Sequence, residues 1–269
     1  ASGTIGTDIV LGLNGGTIGS VDGTTNIVFG GGYGAGTSTN GNITVNVNGS
    51  TIHGHVYGGS ALGSVNDAAA DATTVNVLAG TVNGNIYGGG LGEAGAANVA
   101  KGQVNGTVTV NIGATDGAQT PTYSGTATIN GSIYGCNNTN GSPKANVFVN
   151  VYKTAHNEAA NGYAIDQVFG GGNQADYSPT SNDSRTTVHV YTCDNTIRRV
   201  FAGGNAAAAI GVANIIDGGR FEYVYGGGNG EVAPANIGAG GTNLQVHGGN
   251  ITYLFGGSNH SGTITGPMR

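Results

Sequence analysis

The chain has no tryptophan, one methionine, five prolines and two cysteines, and only 8% of its 269 residues are charged. Each scarcity excludes something. Eight Lys and Arg against a net charge of −6 cannot neutralise a row of phosphates, so nucleic acid is not an expected partner. No run of 18 apolar residues occurs, so no membrane-spanning helix is expected. No basic stretch followed by an apolar one opens the sequence at Ala1, which reads as a processed chain or an excised segment. Cys136 and Cys193 stand in different contexts, and the sequence leaves open whether they pair. No P-loop, Gly-x-Ser-x-Gly or His-Glu-x-x-His string is present, and no cofactor is expected.

What is abundant is glycine, with 55 residues. Collagen needs Gly at every third position, which fails here. Disorder goes with few aliphatics and high net charge, which also fails. Instead, a phrase of aliphatic, aromatic and two small residues returns along the chain. It reads Val28-Phe29-Gly30-Gly31, Val56-Tyr57-Gly58-Gly59, Ile86-Tyr87-Gly88-Gly89 and Ile133-Tyr134-Gly135-Cys136. It continues as Val168-Phe169-Gly170-Gly171, Val200-Phe201-Ala202-Gly203, Val224-Tyr225-Gly226-Gly227 and Leu254-Phe255-Gly256-Gly257. The aromatics are 28, 30, 47, 35, 32, 24 and 30 residues apart, a period of stacked supersecondary units.

Each full repeat holds two strand-like parts. The first alternates, as in Ile43-Thr44-Val45-Asn46-Val47, Val108-Thr109-Val110-Asn111-Ile112 and Val147-Phe148-Val149-Asn150-Val151. Period two with β-branched residues on one side predicts a half-buried strand, and its polar side offers Asn46, Asn76, Asn111, Asn150, His189 and Gln245 in matching places. The second part precedes the aromatic. In early repeats alternation predicts Ile52, Gly54 and Val56 on one face and His53, His55 and Tyr57 on the other. In later repeats this part is one residue shorter (Ile165 to Val168, Ile197 to Val200), which predicts a bend or bulge. A Gly-rich corner follows, ending in Asn173, Asn205, Asn229 and Asn259 in the last four repeats, where an amide ladder is expected. Ala68, Ala69 and Ala70, and residues 206–209, read as short helical turns in loops.

Two strands and a corner in some 24–35 residues predict an all-β fold, a right-handed parallel β-helix of about eight irregular rungs. It forms a single domain over residues 1–269, with an entry segment over 1–20 and repeats over 21–269. At about 4.8 Å per layer this is a rod about 40 Å long. The Val-rich strand, Gly turn and aliphatic-aromatic-Gly-Gly corner resemble the Gly-rich β-helix repeats of large bacterial cell-surface proteins, familiar from gut anaerobes. The resemblance covers nearly the whole chain. It implies an extracellular, structural or adhesive role; the same architecture also carries pectate-lyase-like polysaccharide enzymes.

Three sets of residues are candidates for chemistry. Tyr57, Tyr87 and Tyr134 are expected to line up outside consecutive rungs as a platform for sugar rings, or else to pack as a covered stack. Asp166, Arg198 and Glu222 each lie three residues before their repeat's aromatic, so they are expected to stack as negative, positive, negative, with Arg199 near Tyr223. That is either an ion-pair ladder fixing register or a pair of carboxylates for polysaccharide cleavage. His53 and His55 share one face of a strand as metal-ligand candidates, but a site wants three or four ligands. Residues 90–95 match a dinucleotide-binding string, yet in a solenoid corner rather than at a helix start. Asn-x-Ser/Thr sequons such as those at Asn42, Asn48, Asn105 and Asn130 follow from composition.

Neither end reads as a charged or helical cap. Such ends suit stacking of copies into a filament or a place within a longer surface rod, with the polysaccharide enzyme and the Tyr-ladder binding module as alternatives.

Overall fold

The computed structural model describes residues 3–21, 27–67, 70–155 and 162–269. Their regular structure is β, apart from the three-residue 3-10 turn Ala96–Asn98. Among the described residues no helix is long and apolar enough to cross a membrane.

Two large parallel sheets carry the fold. The eight-stranded sheet runs, in chain order, through Ile27–Phe29, His55–Tyr57, Ile86–Tyr87, Ile133–Tyr134, Ile165–Phe169, Thr196–Phe201, Arg220–Tyr225 and Asn250–Phe255. The ten-stranded sheet runs through Ile9–Leu13, Ile43–Ile52, Ala72–Val82, Thr107–Ile112, Val147–Val151, Thr186–Val190, Ala209–Ile216 and Ile237–Val246, with Thr17–Ile18 and Thr128–Ile129 beside it. Strands of the two sheets alternate along the chain, so each pairs with its counterpart one repeat away. A parallel neighbour requires such a crossover. A third line of parallel contacts joins Gly3–Ile5, Thr37–Thr39 and Ser64–Val65, and continues as the bridges Val65↔Val104 and Val104↔Pro143. The long 47-residue interval contains the antiparallel hairpin of Ala114–Thr115 with Tyr123–Ser124.

The aliphatic members of the alternating strands form one interior shared by the sheets. Val45, Val75, Val110, Val149 and Val188 stand in register and are buried, as do Val56, Ile86, Ile133, Val168, Val200 and Val224 from the other sheet. On the outward side the amides that lie in matching places bond to one another as a ladder. Asn76 donates to Asn46 at 2.8 Å, Asn111 to Asn76 at 2.8 Å, and Asn150 to Asn111 at 2.9 Å. A second ladder runs at the corner from Asn259 through Asn229, Asn205 and Asn173 to Asn138, with steps of 2.7–2.9 Å.

The glycine after each aromatic is fixed by close approach. A Cβ on Gly30, Gly58, Gly88, Gly135, Gly170 or Gly226 would lie 2.2–2.4 Å from the carbonyl oxygen one repeat on. Ala202 occupies this position in the sixth phrase. Its N–H reaches the Tyr225 carbonyl at 3.3 Å, where the glycines make the same bond at 2.7–2.9 Å. Asn214 compensates by donating to that carbonyl at 2.7 Å.

One local reading is corrected. Residues 206–209 are not helical: a bend leads into Ala209–Ile216. That strand breaks the alternation, since Asn214 faces inward in register with Val188 and Ile215 takes the place between His189 and Gln245. Of the other alanine stretch, Ala68 and Ala69 lie outside the described residues. The shortened later segments behave as expected. In Ile165–Phe169, Thr196–Phe201 and Arg220–Tyr225 two successive side chains point outward between buried ones.

Candidate functional site

The aromatics of the recurring phrase end their strands, and there the alternation argument stops. Tyr57, Tyr87 and Tyr134 are 0%, 1% and 4% exposed, so the open sugar platform is overturned and the covered stack holds. Seven stacked pairs run from Phe29 to Phe255 with centroids 4.7–5.0 Å apart. Together they make a second apolar core, against which Leu91 packs. The physical reason is area: rings of this size stabilise most when removed from water. The hydroxyls are satisfied locally, Tyr57 accepting from Asn138 at 2.8 Å and Tyr87 from Asn85 at 3.0 Å. Burial pushes the Tyr57 and Tyr134 phenols well up and that of Tyr87 to about 12.

The outward pair positions of the bent segments bring Asp166, Arg198 and Glu222 together. Arg198 Nε donates to Glu222 Oε2 at 2.5 Å and Arg198 Nη1 to Asp166 Oδ1 at 3.4 Å. Arg199 is in register with Tyr223. The hydrogen bond from Arg198 holds the Glu222 carboxyl below its ordinary range, against desolvation. Such a carboxyl is no proton donor near neutral pH, so the arrangement suits an ion-pair ladder better than acid–base cleavage.

His53 and His55 do not converge on further ligands. Asn83 Nδ2 donates to His53 Nδ1 at 3.0 Å, and the Asn85 N–H to His55 Nδ1 at 2.8 Å. Among the described residues no group of three or more His, Cys, Asp or Glu is placed to hold a metal ion. Cys136 and Cys193 are free thiols, one buried and one exposed, and burial pushes the Cys136 thiol far up. Residues 90–95 lead only into the 3-10 turn, so the dinucleotide string has no helix to open.

One surface stands out from the regular interior. In the last strand of the eight-stranded sheet, Tyr253, Leu254 and Phe255 are 49%, 51% and 43% exposed. Their counterparts Val224 and Tyr225 are buried. Both columns therefore reach the open side of Asn250–Phe255 without closure. The ten-stranded sheet is partly covered at this end, where the bridges Ile237↔Ile264 and Thr242↔Met268 lie along its last strand. At the opposite end Val28 is buried and Phe29 is half-buried.

Sequence reasoning missed two further groups. Asp217 accepts from His189 Nε2 at 2.6 Å and from His247 Nδ1 at 2.8 Å, joining three successive strands of one sheet. Tyr123, Tyr152 and Tyr191 cluster with centroids 4.6–5.9 Å apart. A signal for the cluster was present, because Tyr152 and Tyr191 each directly follow the last valine of an alternating strand. No family model matches the chain, and no curated protein or solved structure matches it either.

Proposed function

We propose that the chain is a right-handed parallel β-helix of about eight irregular turns, and that it serves as an extracellular structural and adhesive rod whose copies join end to end. Three observations support the architecture: the alternation of strands between two parallel sheets, the third line of parallel contacts, and the common interior. The right hand is the general preference of parallel crossovers. The resemblance to Gly-rich surface repeats supports the extracellular, adhesive setting.

The observation that carries assembly is the bare last strand, with Leu254 and Phe255 half in water at the end of columns buried elsewhere. At the opposite end of these columns Ile27–Phe29 pairs with His55–Tyr57, and there Val28 is buried and Phe29 half-buried. A second copy joined at this end would continue the aromatic column by setting Phe255 beside Phe29, a phenylalanine pair like Phe169 and Phe201 inside the chain. Free parallel edges of this kind are templates for added strands, and head-to-tail stacking that does not close gives a filament.

Negative-stain electron microscopy over a concentration series tests this. Fibres of uniform width that lengthen with concentration are expected. Single short rods at every concentration would overturn it.

A further inference from the structure

The outer face of the ten-stranded sheet carries a groove of about 510 Å³ that none of the sequence motifs marked. Its floor is the amide ladder of Asn46, Asn76 and Asn111; Leu78, Thr115 of the hairpin and Tyr152 are among its walls. Among the described residues, none that line it is charged. The volume lies within the range of small-molecule sites, which combine apolar walls with a few placed polar groups.

We propose that this groove binds a neutral polysaccharide lying along the ladder, across the strands. The amide chemistry points there. A side-chain amide has two N–H donors and two acceptor lone pairs. The ladder engages one donor and one acceptor of Asn76, through Asn46 and Asn111. One N–H and one lone pair of Asn76 are left over from the ladder, and those of Asn111 likewise, because it donates to Asn76 and accepts from Asn150. The floor is thus a line of paired donors and acceptors repeating at the strand spacing of about 4.8 Å.

A ligand that follows this line must offer both donor and acceptor at short, regular intervals. Sugar hydroxyls do both at once. The C–H faces of the rings meet Leu78 and the aromatic wall, where Tyr152 is held by Tyr123 and Tyr191. The described lining offers no Lys, Arg or His, so it gives a uronate or sulfate no counter-charge and favours neutral sugars. The ladder keeps the amides in one rotamer before any ligand arrives, so little side-chain entropy is lost on binding. This proposal does not rest on end-to-end assembly.

Isothermal titration with cellohexaose, xylohexaose and mannohexaose, and with hexagalacturonate as the charged control, tests it at protein concentrations below fibre formation. At least one neutral hexasaccharide is expected to bind, more than tenfold tighter than hexagalacturonate. Asn76→Ala and Tyr152→Ala are each expected to weaken it at least tenfold. Thr115→Arg, on the exposed hairpin, fills the groove mouth without touching the ladder; it is expected to abolish binding with the melting curve unchanged. No heat with any neutral probe, equal binding of hexagalacturonate, or full binding by Thr115→Arg would each overturn the proposal.

Discussion

Phe201 and Phe255 hold the same place in the same phrase, yet one is fully buried and the other is 43% exposed. The first has a ring on each side, Phe169 at 4.7 Å and Tyr225 at 4.8 Å; the second has Tyr225 alone at 5.0 Å. The same contrast separates Val200 from Leu254 and Gly88 from Gly256. A motif in a stacked fold therefore does not set its own energetics. The neighbours on both sides do, and the last copy has only half of them.

The largest test of this contrast removes the rings. Phe201→Ala is expected to cost ~3–5 kcal/mol, as for a fully buried aromatic. Phe255→Ala is expected to cost less than about 1 kcal/mol, as at an exposed position. Urea unfolding of both variants reads the difference. Equal losses would mean that the end of the column is already covered in solution. In the fibre assay the proposed end-to-end contact predicts the reverse order, because Phe255→Ala would remove a contact between copies at little cost to the single chain.

Glycine gives the next effect. An alanine methyl at position 88 would press on the Gly135 carbonyl oxygen at 2.4 Å and on Val108 Cγ1 at 2.5 Å, whereas at position 256 its nearest neighbour is Met268 Cε at 3.4 Å. Gly88→Ala is expected to cost ~1–3 kcal/mol through overpacking, and Gly256→Ala close to nothing. Ala202 shows how the chain accommodates the methyl, with a hydrogen bond stretched to 3.3 Å and Asn214 supplying a second donor to the same carbonyl. Asn214→Val therefore belongs in the same series. It is expected to destabilise the repeat at Ala202 although it replaces a buried amide by the residue found elsewhere in that column. A gain in melting temperature would show that Asn214 is not needed there.

How much of this was legible in the sequence follows from how local each feature is. The alternating strands and both amide ladders were legible because each copy repeats the same residue at the same offset, as in Asn46, Asn76, Asn111 and Asn150. The ion-pair ladder was legible for the same reason: Asp166, Arg198 and Glu222 share an offset from their aromatics. Burial of Tyr57, Tyr87 and Tyr134 was not decided by sequence. Alternation assigns faces within a strand, and these rings sit at strand ends, where the corner decides. The strand Ala209–Ile216 was hidden because Asn214 compensates for Ala202, a pairing between distant positions that no single repeat displays. The groove was hidden because a hairpin inserted in one long repeat walls a ladder that runs across several.

The smallest effect concerns the link between the interior and the last strands. Asp217 accepts hydrogen bonds from His189, on a strand inside the sheet, and from His247, just past the last strand. Burial works to raise its carboxyl, but the hydrogen bonds and charge of the two imidazoles outweigh it, and the folded value lies below the ordinary 3.8. A carboxyl depressed on folding adds stability that is present above its unfolded value and disappears as pH falls through the lower folded value. The window is therefore acidic, below about pH 4. The group is about a third exposed, at 35%, so solvent screening holds its contribution below about 1 kcal/mol. Asp217→Asn keeps the shape and removes the titration. Its melting temperature is expected to fall less than that of the parent chain between pH 5 and pH 3, with the two curves converging at the acid end. His247→Gln and His189→Gln divide the effect. If the clamp fastens the last strands to the interior, each removes part of the acid dependence. If His247→Gln leaves the pH profile intact, the bond to the edge carries no stability and the interior pair alone accounts for the depressed carboxyl.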